Sequence, residues 1–158
     1  MAIEVLNETT YDVDIQRVIS LGKHLYTNLH IAPEAELAIV FVDNAAMSQL
    51  HEDWMGLEGP TDVMSFPMDE LRPGTQDAPA QGLLGDIVIS PEVATEHAER
   101  GGHSVADEIA LLVTHGLLHL LGHDHHDDDE KHQMFTMQHQ LLEQFLGYAP
   151  PQLQDDGA

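Results

Sequence analysis

HGLLHLLGHDH, residues 115–125, is the stretch on which the reading of this 158-residue chain turns. On an α-helix, side chains four apart stand one turn above the other on one face, so His115 and His119 aim both imidazoles at a single point. Gly122 stands where a helix ends through a left-handed residue, and the chain turning back there brings His125 toward the same point. Neutral imidazole is a zinc donor, and three protein nitrogens with a fourth position left open is the arrangement of catalytic rather than structural zinc. The expected cofactor is therefore zinc, one ion per chain, on His115, His119 and His125. His123 is the alternative third ligand, but a residue directly after the turning glycine has less freedom to reach back than one two positions further on. Asp124 has two readings: a carboxylate that orients a ligand imidazole through its second nitrogen, or a solvated turn residue.

The helix carrying this stretch opens upstream with a capping-box pattern at Ser104 and Asp107 and is apolar on all sides through Ile109, Leu112 and Val113, which implies burial. Downstream, the acidic run Asp127 to Glu130 suits the N-terminus of a last helix, where the macrodipole favours negative charge, and Met134, Met137, Gln138, Leu141 and Phe145 follow at helical spacing. Ahead of the motif, short apolar runs at Ile3 to Leu6, Leu37 to Val42, Thr61 to Phe66 and Leu84 to Ile89 read as strands. Helical periodicity from Ile15 to Leu29, a helix capped by Asp43 or Asn44 and running to Met55, and one opened by Ser90-Pro91 and ended near Arg100 by Gly101-Gly102 fill the intervals. From Asp69 to Gln81, Pro73, Gly74 and Pro79 mark a loop. His24, His30, His51, His97, His103, His132 and His139 have no partner at a convincing spacing and read as surface or packing residues.

The length suits one core and one domain. With no cysteine in the chain, disulfides are excluded and any metal is held by nitrogen and oxygen. Neither a signal-peptide pattern nor a membrane-length apolar run is present, so the expected location is the cytoplasm. Five Lys plus Arg stand against 28 Asp plus Glu, a formal net charge of -23. That argues against a large basic footprint on nucleic acid, so any such activity rests on a local site, a metal ion or a partner. The plainer reading of the acidity is solubility, or a salty cytoplasm.

The spacing of His115, His119, Gly122 and His125 is also that of the metzincin protease signature HExxHxxGxxH. The resemblance fails at Gly116, which occupies the place of the glutamate that takes a proton from the zinc water.

The motif HGLLHLLGHDH, with PTDVMSFP at residues 60–67 and LGDIVIS at 84–90, resembles the bacterial YbeY endoribonucleases. The motifs are ordered and spaced as in that family, and the likeness runs from the first strand to the last helix. It implies an α+β fold, a small mixed sheet of about four strands covered by about five helices, with the zinc site in a cleft. On this reading residues 1–149 are a single YbeY-like metal-hydrolase domain and 150–158 a disordered tail. It also implies zinc-dependent cleavage of single-stranded RNA in ribosomal RNA maturation and ribosome quality control. The implied partners are single-stranded and ribosomal RNA and the small ribosomal subunit or its proteins, with no DNA and no membrane. Residue by residue, the family's zinc ligands map onto His115, His119 and His125.

One departure concerns RNA binding. Many members carry an arginine, a natural phosphate contact, at the position matching Met55. Arg72 is either a replacement charge from another direction or an ordinary loop residue. Ser65 and Asp62 are candidates to line the cleft, although strand alternation turns one of each alternate pair to the core. Two routes stand open for the reaction: attack by zinc-activated water, or zinc-assisted attack by the RNA's own 2′-hydroxyl. Two rival functions remain, a zinc peptidase and a noncatalytic, zinc-stabilised ribosome assembly factor acting through its acidic surface.

Overall fold

The computed structural model describes residues 2–153. Its elements in chain order are β1 (Ile3–Asn7), α1 (Ile15–Asn28), β2 (Glu36–Phe41), α2 (Asn44–Met55), β3 (Val63–Pro67), β4 (Leu83–Ile89), α3 (Pro91–Gly101), α4 (Val105–Leu120) and α5 (Asp128–Leu146). The four strands form one mixed sheet in the order β1-β2-β4-β3, parallel except for the antiparallel β3–β4 pair. This is the α+β architecture expected from the sequence, four strands and five helices.

Strand alternation divides the sheet between two apolar clusters. Ile39, Phe41, Ile87 and Ile89 join the main core with Leu111, Leu112, Leu117 and Leu118 of α4. Val40, Met64, Phe66 and Val88 point the other way and meet Met47 and Leu50 of α2. The helix α4 is buried along almost its whole length, as its all-round apolar sequence implies, and packs against β3, β4, α3 and α5. Each fully buried leucine there contributes about 2 kcal/mol by removing apolar surface from water.

Close packing of α4 on the sheet depends on Gly116. A methyl group there would lie 2.9 Å from Ile87 Cγ2 and 3.2 Å from Ser65 Oγ. The helix therefore sits on β3 and β4 at a distance that only glycine permits.

Each helix opens on a capping side chain. Asp14, Asp43, Ser90, Ser104 and Asp127 each accept a hydrogen bond from a backbone N–H in the first turn of the helix they open. The capping box at α4 is only half made: Ser104 accepts from the Asp107 N–H, but the Asp107 carboxylate takes Arg17 Nη2 at 2.8 Å and the Tyr148 hydroxyl at 2.7 Å instead. The Tyr148 bond ties the segment after α5 to the start of α4. Pro150 is buried and Leu153 packs against the main core. Residues 154–158 of the expected tail lie outside the described residues.

Candidate metal centre

The last turn of α4 and the turn after it assemble the three histidines. Gly122 adopts φ 92°, its N–H donates to the His119 carbonyl at 3.0 Å, and the His123 N–H donates to the Leu118 carbonyl at 3.0 Å. These two bonds are a Schellman closure, and they satisfy carbonyls that the helix end would otherwise leave open. The reversal carries His125 back beside α4. One ring nitrogen of each of His115, His119 and His125 lies within 4.8 Å of the other two, a grouping able to hold a metal ion. His115 Nε2 and His119 Nε2 are 3.1 Å apart, near the ~3.3 Å edge of a tetrahedron of ligands at zinc–nitrogen distance.

The second ring nitrogens decide which atoms face the ion. His115 Nδ1 lies 2.9 Å from Gln138 Oε1 of α5, and His119 Nδ1 lies 2.9 Å from the His123 carbonyl oxygen. Both partners are acceptors, so each Nδ1 carries the proton and each Nε2 keeps a lone pair toward the shared point. Burial, and then the neighbouring His119, lowers the His115 pKa to about 3. Burial and then His125 also lower that of His119. Both rings are thus neutral near pH 7, the form a metal requires.

Asp124 does not orient a ligand ring. Its Oδ1 accepts from the His125 backbone N–H at 2.8 Å, and its Oδ2 lies 2.9 Å from His126 Nε2, which shapes the turn rather than an imidazole of the cluster. The groups that do orient the rings, Gln138 and the His123 carbonyl, come from a distant helix and from the main chain. His123 itself lines the cleft, and its pKa is lowered by burial and then by Arg72.

The cluster opens onto a cleft of about 770 Å³. Ser65 lies on its floor and donates from Oγ to the Gly116 carbonyl at 3.1 Å. Asp62 turns the other way, accepting from the Val63 N–H at 2.8 Å and approaching His97. The end of α2 forms another wall of the cleft, with His51, Trp54 and Met55. Trp54 is 68% exposed and stands edge-on to Phe66, ring centroids 5.5 Å apart. His51 is buried, as a packing residue, with Nδ1 2.8 Å from the Gly59 carbonyl oxygen. Met55 puts an exposed thioether on this wall. Arg72 folds over Gly122 and donates from Nη1 to the Leu71 carbonyl at 3.2 Å, beside the histidine turn rather than inside the cleft.

The family model described as Endoribonuclease YbeY matches residues 3–146. Endoribonuclease YbeY of Micrococcus luteus is 54% identical over 151 residues, covering 96% of each chain. The protein of the same name from Renibacterium salmoninarum is 53% identical over 152 residues, covering 96% of this chain and 97% of its own. The solution structure of TM1509 from Thermotoga maritima shares the fold, with a TM-score of 0.63 at 24% identity, over 92% of this chain and 89% of that one. An α+β domain with a histidine cluster in an open cleft is here the scaffold of a nuclease-type hydrolase. The chain belongs to the endoribonuclease YbeY family.

Proposed function

We propose that this chain is a zinc-dependent, single-strand-specific endoribonuclease of the cytoplasm, acting in ribosomal RNA maturation and ribosome quality control. The observation that carries the reading is the convergence of three imidazoles in an open cleft, two of them with the proton already committed to Nδ1. His115, His119 and His125 would hold one zinc ion, and their all-nitrogen donor set, with room left beside it, fits that metal. Bound there, zinc supplies positive charge to a scissile phosphate and makes water more acidic.

The chain's own residues do the rest. Gln138 and the His123 carbonyl hold the ligand rings in one tautomer. Trp54 offers an exposed aromatic face across the cleft, on which an unpaired base stacks while its phosphate approaches the histidines. A base inside a duplex is already stacked, which favours single strands. The chain has only five Lys plus Arg, so stacking and the ion, rather than a basic groove, hold the RNA.

Position 116 weighs against a peptidase. A glutamate there would have to displace Ile87 and Ser65, because even a methyl group meets them at 2.9 and 3.2 Å.

The test is cleavage of an end-labelled single-stranded RNA by intact protein, chelated protein, chelated protein restored with zinc, and His119→Ala. Loss on chelation, recovery with zinc and an inactive variant support the reading. Equal cleavage in all four samples overturns it, and zinc binding with no cleavage in any sample moves the function to a zinc-stabilised assembly factor.

A further inference from the structure

On the side of the sheet entry away from the cleft, three more metal-ligating side chains meet. Asp62 precedes β3, His97 lies on α3 and Glu108 lies in the first turn of α4, and all three are buried. One ligand atom from each lies within 4.8 Å of the others. Asp62 Oδ2 is 3.2 Å from His97 Nδ1, again close to the ~3.3 Å edge of a tetrahedral donor set around zinc.

The hydrogen bonding of the two carboxylates is incomplete in a directed way. Asp62 Oδ1 is taken by the Val63 N–H, and Glu108 Oε1 by His103 Nε2 at 2.5 Å. The second oxygens, Asp62 Oδ2 and Glu108 Oε2, are buried and accept no hydrogen bond among the described residues. Both carboxylates are sealed from water with one oxygen fixed by a donor, and Asp62 Oδ2 faces the His97 ring nitrogen. Neither second oxygen accepts a hydrogen bond among the described residues, an arrangement that favours a cation between the three side chains. Burial is the largest influence on Glu108 and raises its pKa, while the contacts with His103 oppose that rise.

We infer that Asp62, His97 and Glu108 form a second divalent-metal site, structural in character and suited to zinc. It is separate from the histidine cleft. His103 supports it from outside: by donating to Glu108 Oε1 it presents Oε2 to the ion, as outer hydrogen bonds orient carboxylate ligands elsewhere. A metal there would clamp the start of β3 to α3 and α4, adding to the backbone bond from the Ser90 N–H to the Asp62 carbonyl at 2.9 Å. In a chain without cysteine, an oxygen-and-nitrogen site is the available form of such a clamp.

The experiment counts zinc by elemental analysis in the full-length protein, loaded with zinc and exhaustively dialysed. The intact protein is expected to retain two equivalents, and His97→Ala and Glu108→Gln, each alone, one. The triple variant His115→Ala/His119→Ala/His125→Ala, which removes the cleft ligands, is expected to keep one. One equivalent in the intact protein that His97→Ala and Glu108→Gln both retain overturns the inference, and so does an intact count of two that these variants leave unchanged. One equivalent lost from both and kept by the triple variant supports it and empties the cleft instead. The proposed ribonuclease activity enters none of these readouts, so failure of one reading is distinguishable from failure of the other.

Discussion

Gln138 Oε1 lies 2.9 Å from His115 Nδ1, so a side chain on α5 fixes the tautomer of the most buried histidine of the cleft. The amide is itself buried, and its role is positioning. Gln138→Leu should leave the His115 N–H without an acceptor and lower zinc affinity by about 10- to 100-fold. Gln138→Glu, which keeps an acceptor, should recover most of it. Competition against a calibrated zinc chelator checks both, and unchanged affinity in the leucine variant would remove Gln138 from the site.

Gly116 is a packing requirement. Gly116→Ala should destabilise the protein by about 1–3 kcal/mol through overpacking against Ile87 and Ser65. Urea denaturation of the two proteins measures this. A neutral result would mean that α4 can move off the sheet.

The metal-free protein should lose stability in acid. His115 has its folded-state pKa lowered to about 3, so below the ordinary histidine value of about 6.5 the unfolded chain takes up a proton that the folded chain refuses. The stabilisation is whole above that value and falls by up to about 1.4 kcal/mol per pH unit between the two pKa values. His119, shifted in the same direction, adds to the slope. Urea midpoints of chelated protein at pH 7, 6 and 5 should decrease in that order, and a flat series would contradict the burial argument.

Trp54 should contribute directly to RNA affinity. Trp54→Ala is expected to cost about 1–3 kcal/mol of binding to a short single strand, and Trp54→Phe much less. Because it is the chain's single tryptophan, its own fluorescence should quench as RNA binds. Equal affinity of the alanine variant and the intact protein would show that this wall is not used.

The histidine cluster was legible because it is local. Helical spacing, the turning glycine and one further histidine lie within eleven residues, and short-range geometry governs all of them. The parts that sequence reasoning missed depend on tertiary approach. Gln138 looked like one more position on an amphipathic helix, and only the packing of α4 against α5 brings it to His115. His97 and His103, read as packing or surface residues, meet Asp62 and Glu108 through the packing of α3, α4 and the entry to β3. No periodicity within one segment carries that information. Asp124 has two readings because a carboxylate at such a turn serves either backbone or ring, and here it takes the His125 N–H and the His126 ring. Polar, proline-rich composition likewise says nothing of a Tyr148 bond to Asp107 or of Leu153 resting on the core.

The Schellman turn at Gly122 has a kinetic consequence. Since the three cleft imidazoles are separated by so little chain, gathering them requires only a short loop to close, an event that takes about 10–100 ns in a free polypeptide. The entropy of that closure is small beside the cost of bringing α5 and its amide across the domain. A cation held by these imidazoles would therefore have its three donors within one short stretch of chain, whatever the timing of α5.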